Sequence, residues 1–256
     1  MSKTATTADV FSSWLTAHRK NVRHHELLLL SERDGLREKV ANELRRIIRD
    51  HYVSPAITAK RLTELGAPRT AKLLKDHIPK TKTARSGDLG EILATEIAER
   101  LMQFRVPIRR LRWKDGRNMA LRGDDIVAVA KASNTSLKFL KGESKSRAIL
   151  NSTVVDEACE SLDRDRGRPS RHSVLFVAER LRERGEDGLA LQLENAVLQS
   201  FRSSIVEHLL FTVSGSDPET HLNDHLTGCN KKRVRHAVGV QIKDHVAFVK
   251  SLYSTI

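Results

Sequence analysis

Residues 123–147 contain two short apolar runs, Ile126-Val127-Ala128-Val129-Ala130 and Leu137-Lys138-Phe139-Leu140, separated by a polar segment. Apolar runs flanking such a segment predict two strands of a hairpin. Paired positions in an antiparallel hairpin sum to a constant, so a turn centred on Asn134 sets Asp125 opposite Glu143. Opposed side chains share a face, with Cβ atoms ~5 Å apart. Lys145 shares that face ~7 Å further along, because side chains alternate. Asp124 points the other way, which favours Asp125 over Asp124. Two carboxylates this close repel unless positive charge lies between them. A hard divalent cation such as Mg²⁺ takes oxygen ligands and keeps several waters. A neighbouring lysine can orient a water or offset charge developing on a phosphate. The set suits metal-assisted phosphodiester hydrolysis. The competing reading is a solvated hairpin face with a salt bridge. An acid-x-Lys triplet alone carries no weight, since chance supplies such triplets in a chain of this composition.

A chain of 256 residues has room for one large domain, or one domain with an appendage, and for a sizeable core. Its net charge of +13 and pI near 10.0 favour polyanionic partners, nucleic acid first among them, although a ribosomal or membrane-surface protein shares that balance. The longest apolar runs are too short to span a bilayer. Residues 1–20 lack the apolar core of a secretory signal. Cys159 and Cys229 have no metal-ligand spacing. A reducing, cytoplasmic location is therefore expected.

Residues 1–80 read as a helical region, with residues 1–20 loosely held. Leu36, Val40, Leu44, Ile47 and Ile48 form one helical stripe. Ser54-Pro55 starts a helix, since proline suits the first helical position. Gly66 stops it, and a second helix follows over 68–78. The pair fits two small packed helices or a DNA-reading helix-turn-helix. Residues 54–85 hold eight Lys/Arg against two acids; such a stretch is either a solvated face or a contact to phosphates or an acidic partner.

The second region, 81–256, opens with a loop and a helix over 88–102. Asp88-Leu89-Gly90-Glu91 fits a capping box, which would make Glu91 a backbone cap. Ala94 and Ala98 leave room for close approach to a sheet. Residues 105–113 read as a strand with Pro107 near its start, followed by a turn at Asp115-Gly116. Six of residues 105–117 are Lys or Arg against one acid. This basic strand either meets a phosphate backbone or balances the hairpin's carboxylates. Helices are expected over 153–162, 173–184, 187–198 and 244–253, with a short one opened by residues 216–219. Strands are expected over 205–213 and 237–242, the first of these parallel to the strand of Glu143. His221 and His225 lie one turn apart but lack a third zinc ligand, so a surface or capping role is expected. Lys231-Lys232-Arg233 reads as a solvated basic loop.

The order helix with Glu91, strand, strand with Asp125, strand with Glu143-x-Lys145, helix resembles the PD-(D/E)XK nuclease core: a mixed α/β sheet flanked by helices, here with an N-terminal helical extension. The segments Ser86-Gly87-Asp88-Leu89-Gly90-Glu91, Leu111-Arg112-Trp113-Lys114-Asp115, Arg122-Gly123-Asp124-Asp125 and Lys141-Gly142-Glu143-Ser144-Lys145 are similar to the HamA family of the Hachiman anti-phage system, and to the related AbpA. The likeness runs from about residue 62 to 256 and leaves residues 1–50 unsupported. It implies a DNA nuclease dependent on Mg²⁺, with Mn²⁺ as substitute. Asp125 and Glu143 would be metal ligands, Lys145 the catalytic lysine, and Glu91 an acid that binds or supports the ion. It further implies a superfamily 2 helicase partner of the HamB type and no membrane. A restriction or repair endonuclease of the same superfamily, or a non-catalytic DNA-binding subunit, are the alternatives.

Overall fold

The computed structural model describes residues 9–256 except 133–135, 203, 231 and 255. The expected turn centre, Asn134, and Lys231 lie outside the described residues. One mixed sheet of six strands organises the chain, in the order β1-β2-β6-β5-β4-β3. Its four inner strands are parallel: β2 (His25–Glu32), β6 (Arg235–Gln241), β5 (Ile205–Ser214) and β4 (Leu137–Arg147). Each outer strand is the antiparallel hairpin partner of its neighbour: β1 (Leu15–Val22) of β2, and β3 (Ile126–Lys131) of β4.

Parallel strands covered on both faces read as continuous apolar runs, and β5 is buried from Val206 to Ser214. On one face, Ile126, Ala128, Leu140, Phe211 and Val238 pack with α1 (Val10–Trp14), α2 (Arg37–Tyr52), α4 (Lys82–Arg100) and α9 (His245–Tyr253). On the other, Val127, Val129 and Phe139 meet α6 (Arg171–Glu183) and α7 (Asp187–Leu198). There Leu27, Leu210 and Ala237 meet α5 (Ser152–Asp163) and α8 (Glu219–Gly228). The alternation in β3 thus sorts its side chains between two cores.

The β3–β4 register is the expected one, with Ile126 against Gly142 and Lys131 against Leu137. The helices and strands after residue 150 lie within a few residues of their expected positions, and β4 to β5 is parallel. The N-terminal region departs from the helical expectation. Residues 15–32 form the β1–β2 hairpin, and β2 joins the sheet through β6. The sheet therefore draws strands from both sides of residue 80. β1 carries exposed polar residues because it is an edge strand, where polar and charged side chains discourage further pairing. α3 (Pro55–His77) is capped by Ser54 and broken at Gly66, whose φ is 74°, so two segments meet there as expected; only Thr70 in it is buried.

Residues 105–113 are not a regular strand. Arg105 makes one antiparallel bridge to Val129, and Arg110–Trp113 is a 3-10 turn. Pro107, lacking an N–H, cannot extend the ladder. α4 starts at Lys82, capped by Thr81 Oγ1, one and a half turns before the expected start. This excludes the capping role for Glu91, which lies in the interior of the helix.

Candidate active site at the open end of the β3–β4 hairpin

β4 runs on past the point where β3 begins, so its edge is open from Glu143 onward. Asp125 sits just before β3 and leaves the regular ladder. Its carboxylate accepts the Ser144 N–H at 2.9 Å and the Ser144 hydroxyl at 3.3 Å. The side chain occupies the position a continuing β3 carbonyl would take. Continued by one residue, the β3–β4 register sets Asp125 opposite Glu143 as expected, but its carboxylate turns along the sheet edge to Ser144. Glu143 and Lys145 share one side of β4, and the lysine ammonium donates to Glu143 Oε1 at 2.9 Å. Both side chains are largely covered, at 15% and 19% exposure.

Asp124 turns away, as expected. Its carboxylate accepts the Ser170 N–H at 2.7 Å and stands 3.5 Å from the buried Lys141 ammonium. Gly123 makes this divergence possible: its φ is 95°, and a Cβ there would lie 2.3 Å from Ser173 Oγ. Asp124 thus ties the hairpin to α6, and Asp125 is left for the site.

α4 brings Glu91 to the cluster. At Gly90 the helix backbone lies against β4, where a Cβ would be 3.3 Å from Ser146 Cβ and 3.5 Å from Ser144 Oγ. Ala94 and Ala98, both fully buried, continue the close contact. Burial, and then the charge of Asp125, push the Glu91 carboxyl well above the usual range. Burial, and then the charge of Glu143, push Asp125 up to about 6. The Ser144 N–H, Arg110 and Lys145 oppose that rise without cancelling it. Three acids are therefore electrostatically linked through Asp125. Among the described residues, no group of three or more His, Cys, Asp or Glu side chains is placed to hold a metal ion.

Two carboxylates still fit a hard cation, which commonly uses one or two carboxylates and several waters. Asp125 Oδ2 is engaged by Ser144 and Glu143 Oε1 by Lys145, and among the described residues the second oxygen of each is left for a ligand. The donor set, two carboxylates of which only Glu143 has an ion pair among the described residues, matches that chemistry.

The basic run of residues 105–117 does not form a free phosphate-binding face. Arg105 pairs with Glu186, Arg109 with Glu96 and Glu99, Lys114 with Asp88 at 2.8 Å, and Arg117 with Asp76. Arg112 donates to the Asp50 carbonyl at 2.6 Å. Of this run, Arg110 lowers both Glu91 and Asp125, and Lys114 lowers Glu91. Arg110 is buried, donates to the Arg122 carbonyl at 2.6 Å, and leaves Nη1 without a partner among the described residues. Nothing in the sequence separates Arg110 from its basic neighbours. Asp88, expected at a helix start, instead lies inside α4 and is buried beneath the site, where Tyr52 donates to it at 2.6 Å.

His225 is not a surface residue. Its Nε2 meets Arg235 Nη1 at 2.8 Å and Cys159 Sγ at 2.9 Å, so this imidazole belongs to a packed polar cluster. No helix of the described residues is long and apolar enough to cross a membrane.

The family profile described as HamA matches residues 8–256, including the N-terminal hairpin that the sequence likeness left unsupported. The Hachiman protein HamA of Bacillus cereus is 28% identical over 178 residues, covering 68% of this chain and 62% of that relative. The match thus spans less than two thirds of the relative's length.

Proposed function

The chain belongs to the HamA family of the Hachiman antiviral defence system, and from that premise we propose that it is a metal-dependent DNA nuclease with a PD-(D/E)XK-like core. The observation that carries the proposal is Asp125, half-buried just before β3, its carboxylate held by the Ser144 N–H at 2.9 Å and pushed up to about 6 by burial and then by the charge of Glu143. Support for the core comes from the sequence of α4 with Glu91, β3 behind Asp125, β4 with Glu143-x-Lys145, and then α5. The strand such a core places before β3 is reduced here to the Arg105–Val129 bridge.

Asp125 and Glu143 would hold Mg²⁺ or Mn²⁺, with Glu91 as the supporting acid. The bound cation would lower the pKa of a water and neutralise charge gathering on the phosphate. Lys145 has three N–H donors, of which Glu143 takes one; the others are free to orient the attacking water. Arg110 holds Glu91 and Asp125 close by offsetting their repulsion. Hydrolysis forms a bond from the water oxygen to phosphorus and breaks the bond to the leaving oxygen, which receives the proton. Among the described residues no element offers an array of base-reading side chains, so cleavage of little sequence specificity is expected. A helicase of the HamB type, in the same defence system, is the proposed partner.

The test is incubation of the purified chain with plasmid and linear DNA, in Mg²⁺ or EDTA, with and without that helicase. Cleavage that needs the metal and vanishes in Glu143→Ala supports the proposal. Full metal-dependent cleavage by Glu143→Ala and Lys145→Ala would sink it and leave a DNA-binding subunit.

A further inference from the structure

A groove of about 1270 Å³ opens beside the acid cluster, at the carboxyl ends of β4, β5 and β6. Ligands of open α/β sheets bind at such ends. The volume exceeds the ~300–1,000 Å³ that single small molecules fill, which points to a longer ligand. Ser146 and Arg147, in its wall, directly follow Lys145 on β4.

The groove is electropositive. Lys80, Lys82, Arg85, Arg147 and Lys250 line it against one acid, Asp244. Arg85 is held by the Pro79 carbonyl and the Tyr253 ring. The other four cations are exposed and make no ion pair among the described residues. This is the reverse of the 105–117 run, whose cations are nearly all engaged within the fold. Two helices also begin here. α4 starts at Lys82, and α9 starts at His245 with no side-chain cap, Asp244 being left-handed at φ 51°. Helix N-termini carry partial positive charge and favour anions. Behind them Ser146 Oγ meets Ser86 Oγ at 2.8 Å and His245 Nε2 at 2.9 Å. His245 lines the groove, is 4% exposed, and its Nδ1 has no partner among the described residues. Ile149 and Val246 add apolar surface, at 74% and 58% exposure.

We propose that this groove binds a single-stranded stretch of nucleic acid, its phosphates on Lys80, Lys82, Arg147 and Lys250 and its bases against Ile149 and Val246. A duplex would keep its base faces inside and leave the apolar pair unused. That the strand then enters the acid cluster rests on the nuclease reading above.

The test is fluorescence anisotropy of a labelled single-stranded oligodeoxynucleotide in EDTA, with duplex DNA and single-stranded RNA as further arms. The parent chain is compared with Lys82→Glu/Lys250→Glu and with a control of equal charge change, Lys39→Glu/Lys72→Glu, all at exposed positions. The groove variant should lose on the order of tenfold in affinity and flatten the salt dependence by roughly two counterions, with the control close to parent. Binding of single strands, DNA or RNA, should exceed that of duplex. Equal losses in both variants, a preference for duplex, or no binding by the parent at low salt overturns the groove. If the groove variant binds normally while Glu143→Ala stops cleavage, the groove fails and the nuclease stands. If binding depends on the groove but no metal supports cleavage, the nuclease fails and the groove stands.

Discussion

Glu91 and Glu96 lie five residues apart on α4, and their surroundings drive them in opposite directions. Burial would raise Glu96, but His51 at 2.8 Å, Arg109 at 3.3 Å and Arg100 at 2.8 Å outweigh it and bring the carboxyl to about 2. Burial holds His51 itself below its usual range, so the lasting positive charge at Glu96 comes from the two arginines. Glu91 has acids as its neighbours and shares a single buried arginine with Asp125; its carboxyl rises. One acid has been matched by the fold. The other, with Asp125, has no ion pair among the described residues, whereas Glu143 has Lys145. Carboxylates kept under repulsion at a sheet edge are strained unless a cation arrives from outside, and such groups mark functional sites more often than structural ones.

The largest expected contrast is in activity. Glu143→Ala and Lys145→Ala should each lower metal-dependent DNA cleavage by roughly 10²–10⁴-fold, while stability in urea stays close to parent. Glu96→Gln should leave the cleavage chemistry in place once the protein is folded. Comparable loss of cleavage in Glu96→Gln and Glu143→Ala, at equal folded fraction, would remove the distinction between the two acids.

Stability should show the reverse order. Glu96→Ala removes the buried partner of His51, while Arg109 keeps Glu99 and Arg100 keeps Asp9, and should cost about 1–3 kcal/mol by urea denaturation. Glu91→Gln removes repulsion, and in metal-free buffer should be within about 1 kcal/mol of parent or above it. A large loss at Glu91 would mean that its carboxylate is structural after all.

The sequence exposed parts of this contrast and hid others. Asp125, Glu143 and Lys145 were legible because strand alternation and an antiparallel register are arithmetic: the apolar runs fix the pairing, and the pairing fixes the face. Asp124 could be set aside by the same rule. Glu91 was ambiguous, because Asp-x-x-Glu is also a cap and a helix beginning at Asp88 would put Glu91 in its first turn. Only the fold shows α4 continuing through both glycines so that Gly90 can touch β4. Arg110 was invisible among six like charges, since what separates it is which acid each neighbour finds across the chain. β1 was missed because an edge strand with polar faces carries no alternation signal. Residues 105–113 have strand composition, but a strand needs a partner along its length, and β3 offers one bridge.

A third contrast concerns the cation. Mg²⁺ at one hundred times its dissociation constant should stabilise the chain by about 2.7 kcal/mol if it binds only the folded state. The readout is melting temperature with Mg²⁺ against EDTA. The gain should persist in Glu96→Gln relative to its own metal-free state. It should disappear in Asp125→Asn/Glu143→Gln, whose metal-free form should melt no lower than parent. An Mg²⁺ gain that survives in that double variant would place the ion elsewhere.

The smallest effect, and the one that separates the two acids most directly, is the pH dependence of stability in metal-free buffer. The folded value of Glu96 lies below its unfolded one, so its contribution is present above about pH 4.5 and is lost as pH falls through about 2. The folded value of Asp125 lies above its unfolded one, so its effect has the opposite sign. Between about pH 4 and 6 the folded chain holds the proton that the unfolded chain has released, and stability falls as pH rises. Glu96→Gln should therefore flatten the acid limb alone, and Asp125→Asn should flatten the decline toward pH 6 alone. Saturating Mg²⁺ should reverse the second slope, because a cation that needs ionised carboxylates binds more tightly as their protons leave. A profile in which Asp125→Asn leaves the limb between pH 4 and 6 unchanged, with or without the ion, would show that the repulsion at the sheet edge has been relieved by the protein itself, and Asp125 would then be matched in the same sense as Glu96.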